Sequence, residues 1–253
     1  MNKLLFLCVL ASLPAVSAET IPFSDAEVLA YLKPSRNDVF TNAVTVIVEN
    51  DAEASLQNNE TLNGTKLTPL TVKSIAKDFE NNEITAMEKY KNNPVRIKGV
   101  VKKIGLDALG RGVITISGSN SFSGNLVASV NKKSDWVRET SKGDKVDLIC
   151  NISGYIMLNV AATCENSLSY TQELIKKEYG IEGGVNLPKN KYSASMVYII
   201  KANEKEIGKS CSKPNDSCFK AIMNVMDKTK KPDPRFMAWM SKLPKTVASG
   251  NAM

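Results

Sequence analysis

The 253-residue chain contains no histidine. That absence removes Ser/His/Asp and Cys/His catalysis, histidine metal sites and the side chain best suited to proton transfer near neutral pH. Aromatic residues are scarce, and between residues 95 and 165 they are limited to Phe122, Trp136 and Tyr155, a poor supply of platforms for stacking bases. No two cysteines have C-x-x-C spacing, which argues against a zinc or thiol-redox site. A phosphate-binding loop is missing as well: Gly180-x-x-Gly183-Gly184 lacks the Lys-Ser/Thr pair and a preceding strand. Asp144 and Asp147 sit three apart, so on a strand they face opposite sides and read as solvated charges rather than an acid/base pair. The expectation is therefore a non-enzymatic protein with no catalytic residues, metal or cofactor.

Long apolar runs are confined to the start. Met1-Asn2-Lys3 is a basic head, Leu4 to Ala11 an apolar stretch too short to span a bilayer, and Ala15-Val16-Ser17-Ala18 a small-residue run before Glu19. This pattern predicts a signal peptide over 1–18 and a periplasmic or secreted product. Cys8 would leave with it, and Cys150, Cys164, Cys211 and Cys218 would remain in an oxidising compartment. Cys211 and Cys218 bracket the turn-rich Ser-Lys-Pro-Asn-Asp-Ser and are expected to be bridged. Cys150 with Cys164 would follow by elimination, but a tight hairpin at Ser153-Gly154 would hold them roughly 23 Å apart, beyond the ~7 Å reach of a disulfide. Either that connection is wider or one of the two stays a buried thiol.

Period-two alternation gives the most consistent signal. Val95 to Ile104 alternates apolar and mostly basic positions, with Gly99 placed as a bend or bulge. After a turn at Leu109 to Gly112 come Val113 to Ser117 and Leu126 to Val130, then a short helix capped by Ser134 and carrying Trp136 and Val137. Lys145 to Ile152 and Ile156 to Cys164 complete five strands, with the helix between the third and fourth. That is the order of an OB-fold barrel in an α+β protein with helical N- and C-terminal extensions.

The segments Asp78-Phe79-Glu80-Asn81-Asn82-Glu83, Ala86, Glu88 to Lys91, Val95 to Val101, and Gly154-Tyr155-Ile156-Met157 leading to Cys164 resemble the tRNA-anticodon-like (tRNA_anti-like) OB family of exported bacterial proteins. The likeness covers roughly residues 70 to 166. It implies a barrel and export, and carries over no functional residues.

The flanks divide into a lead and linker (19–66), the OB domain (67–166) and a basic helical region (167–253). Ser24-Asp-Ala-Glu27 forms a capping box for a helix stopped by Pro34. Asn37 to Val48 is open between a helix and a β-branched strand, with helix preferred, and Asp51 to Lys66 reads as a linker. Thr68-Pro69 is expected to open a helix through Val72, Ile75, Ala76 and Phe79. Helices are expected at Tyr170 to Tyr179, Ser193 to Ile207, Ser217 to Lys230 and after Asp233-Pro234. In the last of these Phe236, Trp239, Met240 and Leu243 share a face, read as core packing ahead of a partner-binding surface.

The net charge is +7, with the acidic residues weighted towards the front of the chain. That polarity suits either steering of anions to the barrel and tail or packing of the front against the back. The candidate anion site is a row on the first strand, Arg96, Lys98 and Lys102, with Lys103 beside it and Lys132 and Lys133 after the third strand. These are expected to be surface cations. They suit a polyanion; the other partner classes are nucleic acid and an envelope protein.

Overall fold

The computed structural model describes residues 20–60, 66–118, 124–181 and 186–245. The expected signal segment lies outside the described residues. Two helices open the described chain, α1 (Asp25–Leu32) and α2 (Asn37–Asn58), followed by α3 (Val72–Asn81) and α4 (Glu83–Tyr90). The barrel then runs β1 (Val95–Leu106), β2 (Gly112–Ile116), β3 (Leu126–Val130), α5 (Asp135–Glu139), β4 (Lys145–Ile156) and β5 (Asn159–Asn166). Helices α6 (Ser167–Tyr179), α7 (Lys191–Ala202), α8 (Glu204–Ile207), α9 (Asp216–Met226) and α10 (Pro234–Ser241) complete it, with a 3-10 turn at Ser210–Ser212 before α9.

The strands close in the order β1-β2-β3-β5-β4, and β3 with β5 is the parallel pair. This is an OB-type barrel, in which closure leaves no unpaired sheet edge. The first half of β1 pairs with β4 and the second half with β2, so one long strand serves both walls. The bulge that turns it falls at Lys102, where the register slips between Val101 and Lys103, and not at Gly99. Gly99 answers a different need. A Cβ there would lie 2.3 Å from Ile116 Cγ2, and Ile116 is fully buried, so only glycine lets β1 cross β2 this closely.

Two apolar cores form. The barrel interior, around Ile97, Ile114, Ile116, Leu126 and Leu148, is closed by α3 and α4 through Ile75, Phe79 and Tyr90, and by Val137 of α5 with Trp136 packed beside it. The second core belongs to α1, α2 and the C-terminal helices. Phe236 and Trp239 are buried in it, Met240 and Leu243 pack against it, and Phe236 meets Tyr31 and Tyr198 at ring distances of 5.2 and 5.9 Å. The aromatic stripe is core, as the sequence led us to expect.

Three local expectations need correction. The stretch read as a linker from Asp51 is helical to Asn58, because Ala52 and Ser55 continue the buried face begun by Phe40, Ala43 and Ile47. Its polar composition belongs to the outer face. Helix α3 starts at Val72, with Thr71 rather than Thr68 as its cap, accepting from the Ser74 amide at 3.1 Å. The third correction concerns the β4–β5 hairpin, which turns at Met157 and Leu158, both in the left-handed region at φ 49° and 61°. Two such residues in succession are what a tight two-residue hairpin turn requires. Ser153-Gly154 is instead a bulge within the ladder, where the register shifts between Ile152 and Gly154.

That shift of the turn resolves the cysteine geometry. Cys150 and Cys164 become directly opposed residues, bridged with Cα atoms 4.1 Å apart. Cys211 and Cys218 are bridged as expected. Peptide mapping without reduction should recover Cys150–Cys164 and Cys211–Cys218 as the two linked pairs. Replacing Cys150 and Cys164 together with Ser should lower unfolding stability in denaturant by about 3 kcal/mol, the scale for closing a loop of this length.

Candidate functional site

The expected row of cations on β1 does not form a single surface. Arg96 is buried, with only 4% of its surface exposed. Its Nε donates to Asp147 Oδ1 at 2.8 Å and its Nη2 to Asp147 Oδ2, while Nη1 donates to the Leu56 carbonyl at 2.7 Å and to Asn59 Oδ1 at 3.0 Å. The guanidinium is thus committed to the end of α2 and cannot face a ligand. Lys98 leans on the same carboxylate, Nζ to Oδ2 at 3.5 Å. The sequence misled because alternation identifies a face of the strand, not what covers it. Here the end of α2 covers Arg96, while Lys98 on the same face stays exposed. Asp147, read as a solvated charge, is the counter-ion: burial pushes its carboxyl up, but the Arg96 hydrogen bonds, then the Arg96 and Lys98 charges and Ser167, hold it below the usual range.

The other half of β1 behaves differently. The extra residue at the bulge lets Lys102 and Lys103 both project outward, where strict alternation would bury one of them. The turn before β4 crosses at this point, since the Gly143 amide donates to the Val101 carbonyl at 2.8 Å and the Val101 amide to the Asp144 carbonyl at 2.9 Å. These bonds bring Lys142 alongside. Lys102, Lys103 and Lys142 line an open cleft of about 690 Å³ together with Thr115, Val127 and Asn159.

This cleft runs into a second groove of about 480 Å³ over the outer faces of β2, β3 and β5, with Lys103, Thr115 and Val127 common to both. Hydroxyls of Thr115, Ser129, Ser153 and Thr163 line it, between Val113, Val127 and Ala161. Its rims are the β1–β2 and β4–β5 turns, and both carry exposed apolar side chains: Leu106 and Leu109 on one, Ile156, Met157 and Leu158 on the other. The first rim is fixed by Asp107, which accepts the Leu109 and Arg111 amides at 2.9 and 2.8 Å and Arg111 Nε at 2.6 Å. The Arg111 amide and then its guanidinium hold the Asp107 carboxyl below its usual range. Lys132 braces the same turn by donating to the Gly110 carbonyl at 2.7 Å. Lys133 lines neither groove and lies exposed in the turn after β3.

The lining of both grooves is without an aromatic side chain among the described residues. Tyr155 stacks on Phe79 at 5.5 Å and donates to Glu80, Trp136 packs against the barrel core, and Phe122 lies outside the described residues. No group of metal-ligating side chains occurs among the described residues, and no helix there is long and apolar enough to cross a membrane.

The tRNA_anti-like family model matches residues 4–166, which include the whole barrel and the helices before it. The chain belongs to this family. No curated protein matches the chain. Among solved structures, one assigned as an aspartyl-tRNA synthetase from Leishmania major Friedlin is similar at 7% identity and a TM-score of 0.29, over 42% of this chain and 21% of that one. The tRNA_anti-like match reaches further towards the N-terminus than the resemblance read from residues 70 to 166. That extension takes in helix α2, whose end is bonded to the barrel through Arg96.

Arg96→Gln should cost about 2–3 kcal/mol in chemical denaturation, because it removes a buried guanidinium that serves a partly buried carboxylate and a helix-end carbonyl. Lys98→Gln, at an exposed position, should stay within about 0.5 kcal/mol. The acid limb offers a further check. The Asp147 carboxyl is held below its ordinary 3.8, so its stabilisation is complete above that pH and is lost as pH falls through the folded value. Arg96→Gln should therefore flatten the decline in stability below about pH 4.

Proposed function

We propose that this is an exported, non-catalytic binding protein that takes an extended anionic ligand across the outer face of β1, β2 and β3. The observation that carries the reading is the convergence of Lys102, Lys103 and Lys142 at the entrance to a hydroxyl-lined groove. Cations at the entrance attract the charge, and hydroxyls along the floor supply hydrogen bonds for a polar chain. The face lies on the second and third strands and the turns around them, where OB barrels commonly hold ligands. Export is supported by the N-terminal pattern of basic head, apolar stretch and small residues, and two disulfides fit an oxidising compartment. The absence of histidine supports a binding role over catalysis.

A phosphate-rich or acidic-sugar polymer fits this face better than a nucleic acid. Unstacked bases are held mainly by aromatic platforms, and the grooves have none among the described residues.

Titration of the protein with polyphosphate, an acidic oligosaccharide, single-stranded DNA and RNA at two salt concentrations tests the proposal. Polyphosphate or the acidic oligosaccharide should bind with strong salt dependence. Lys102→Gln/Lys103→Gln/Lys142→Gln should weaken that binding by about tenfold or more and reduce the salt slope by about two to three. Unchanged affinity in the triple variant, or no binding to any anion, would overturn the site. Binding confined to DNA or RNA would favour the nucleic-acid reading instead.

A further inference from the structure

An apolar cleft of about 410 Å³ lies away from the barrel, between α2, α7 and α9. Its walls include Met196, Phe219, Met223 and Met226, and its charged lining residue is Asp51. Met223 and Met226 are 45% and 40% exposed, so the mouth is open to solvent. Methionine side chains adapt to varied apolar shapes, and a volume of this size falls in the range of small-molecule sites, roughly 300–1,000 Å³.

The carboxylate is held rigidly. Tyr179 donates to Asp51 Oδ2 at 2.6 Å and Tyr192 donates to the same oxygen at 3.2 Å, while the two rings meet at 5.3 Å. Both bonds fall on Oδ2, so Oδ1 lies outside them. Burial pushes the Asp51 carboxyl above its usual range against the pull of the two hydroxyls, as expected of an anion short of solvation. No lysine or arginine lines the cleft among the described residues. An anion placed beside an apolar slot, without a cation of its own, complements a ligand of opposite sign with an apolar body.

We propose that the cleft between α2, α7 and α9 binds a small amphiphilic amine, with the ammonium on Asp51 and the apolar chain along Met196, Phe219, Met223 and Met226. Tyr192, half-exposed at the cleft, can also present its ring to the cation. The site is separate from the anion-binding face, and its ligand has the opposite charge.

The test uses three probes of equal chain length, n-octylamine, octanoate and n-octanol, titrated calorimetrically into the whole protein below their aggregation limits. Octylamine should bind at least tenfold more tightly than the other two. Asp51→Asn should erase that preference, and Met223→Lys, at an exposed position, should reverse it in favour of octanoate. Equal binding of the three probes, absence of binding, or an amine preference surviving in either variant would overturn the proposal. Should Asp51→Asn fail to fold by circular dichroism, Met223→Lys decides the matter alone.

Discussion

The ion pair of Arg96 and Asp147 is the point at which the two cores of this protein are joined. Each partner is on the barrel, one on β1 and one on β4, yet the guanidinium directs its remaining donors to the last turn of α2. Asn59, in the left-handed conformation at φ 55°, ends that helix and offers Oδ1 to Arg96. Ser167, the first residue of α6, also helps to hold the Asp147 carboxyl low. One carboxylate therefore binds two strands, and through Arg96 the end of α2 is tied to it. A buried pair of this kind contributes less through its attraction than through the penalty for any arrangement that leaves one partner alone.

The cations of β1 are used differently on the two sides of its bulge. Upstream of the bulge, Arg96 and Lys98 both engage Asp147, Arg96 from a buried position and Lys98 from an exposed one. Downstream, the additional residue at Lys102 turns two successive lysines outward and the turn at Lys142 joins them. A single inserted residue in the ladder thus lets both Lys102 and Lys103 line the cleft. The apolar tips at Leu109 and Met157 sit on the rims of the resulting groove, where an occupant with some apolar surface would meet them.

Much of the barrel was legible because its strands are half-buried, and half-burial writes itself into a sequence as alternation. Val95 to Ile104, Val113 to Ser117 and Leu126 to Val130 all show it. The β4–β5 turn was missed because glycine is the usual sign of a left-handed turn, and here Met157 and Leu158 adopt that conformation. Glycine at 154 drew attention to the bulge three residues earlier. Helix α2 was cut short for a different reason: Glu49 to Asn58 buries only the small Ala52 and Ser55, too little to register as an apolar stripe. Lys142 is absent from the cations that the sequence singles out, and only the pairing of its turn with Val101 shows it to be a neighbour of Lys102. Arg96 could not be distinguished from Lys98 by pattern alone, although arginine is the residue suited to a buried, forked contact.

The two disulfides lie in different cores, Cys150–Cys164 in the barrel and Cys211–Cys218 among the helices, and their cysteines are 14 and 7 residues apart in sequence. Neither crosses the seam at Arg96. Each crosslink can thus form within its own lobe, between partners that are already neighbours along the chain and whose encounter costs little loop entropy. Among the described residues no disulfide joins one core to the other, so apart from the chain itself the two are held together without a covalent bond.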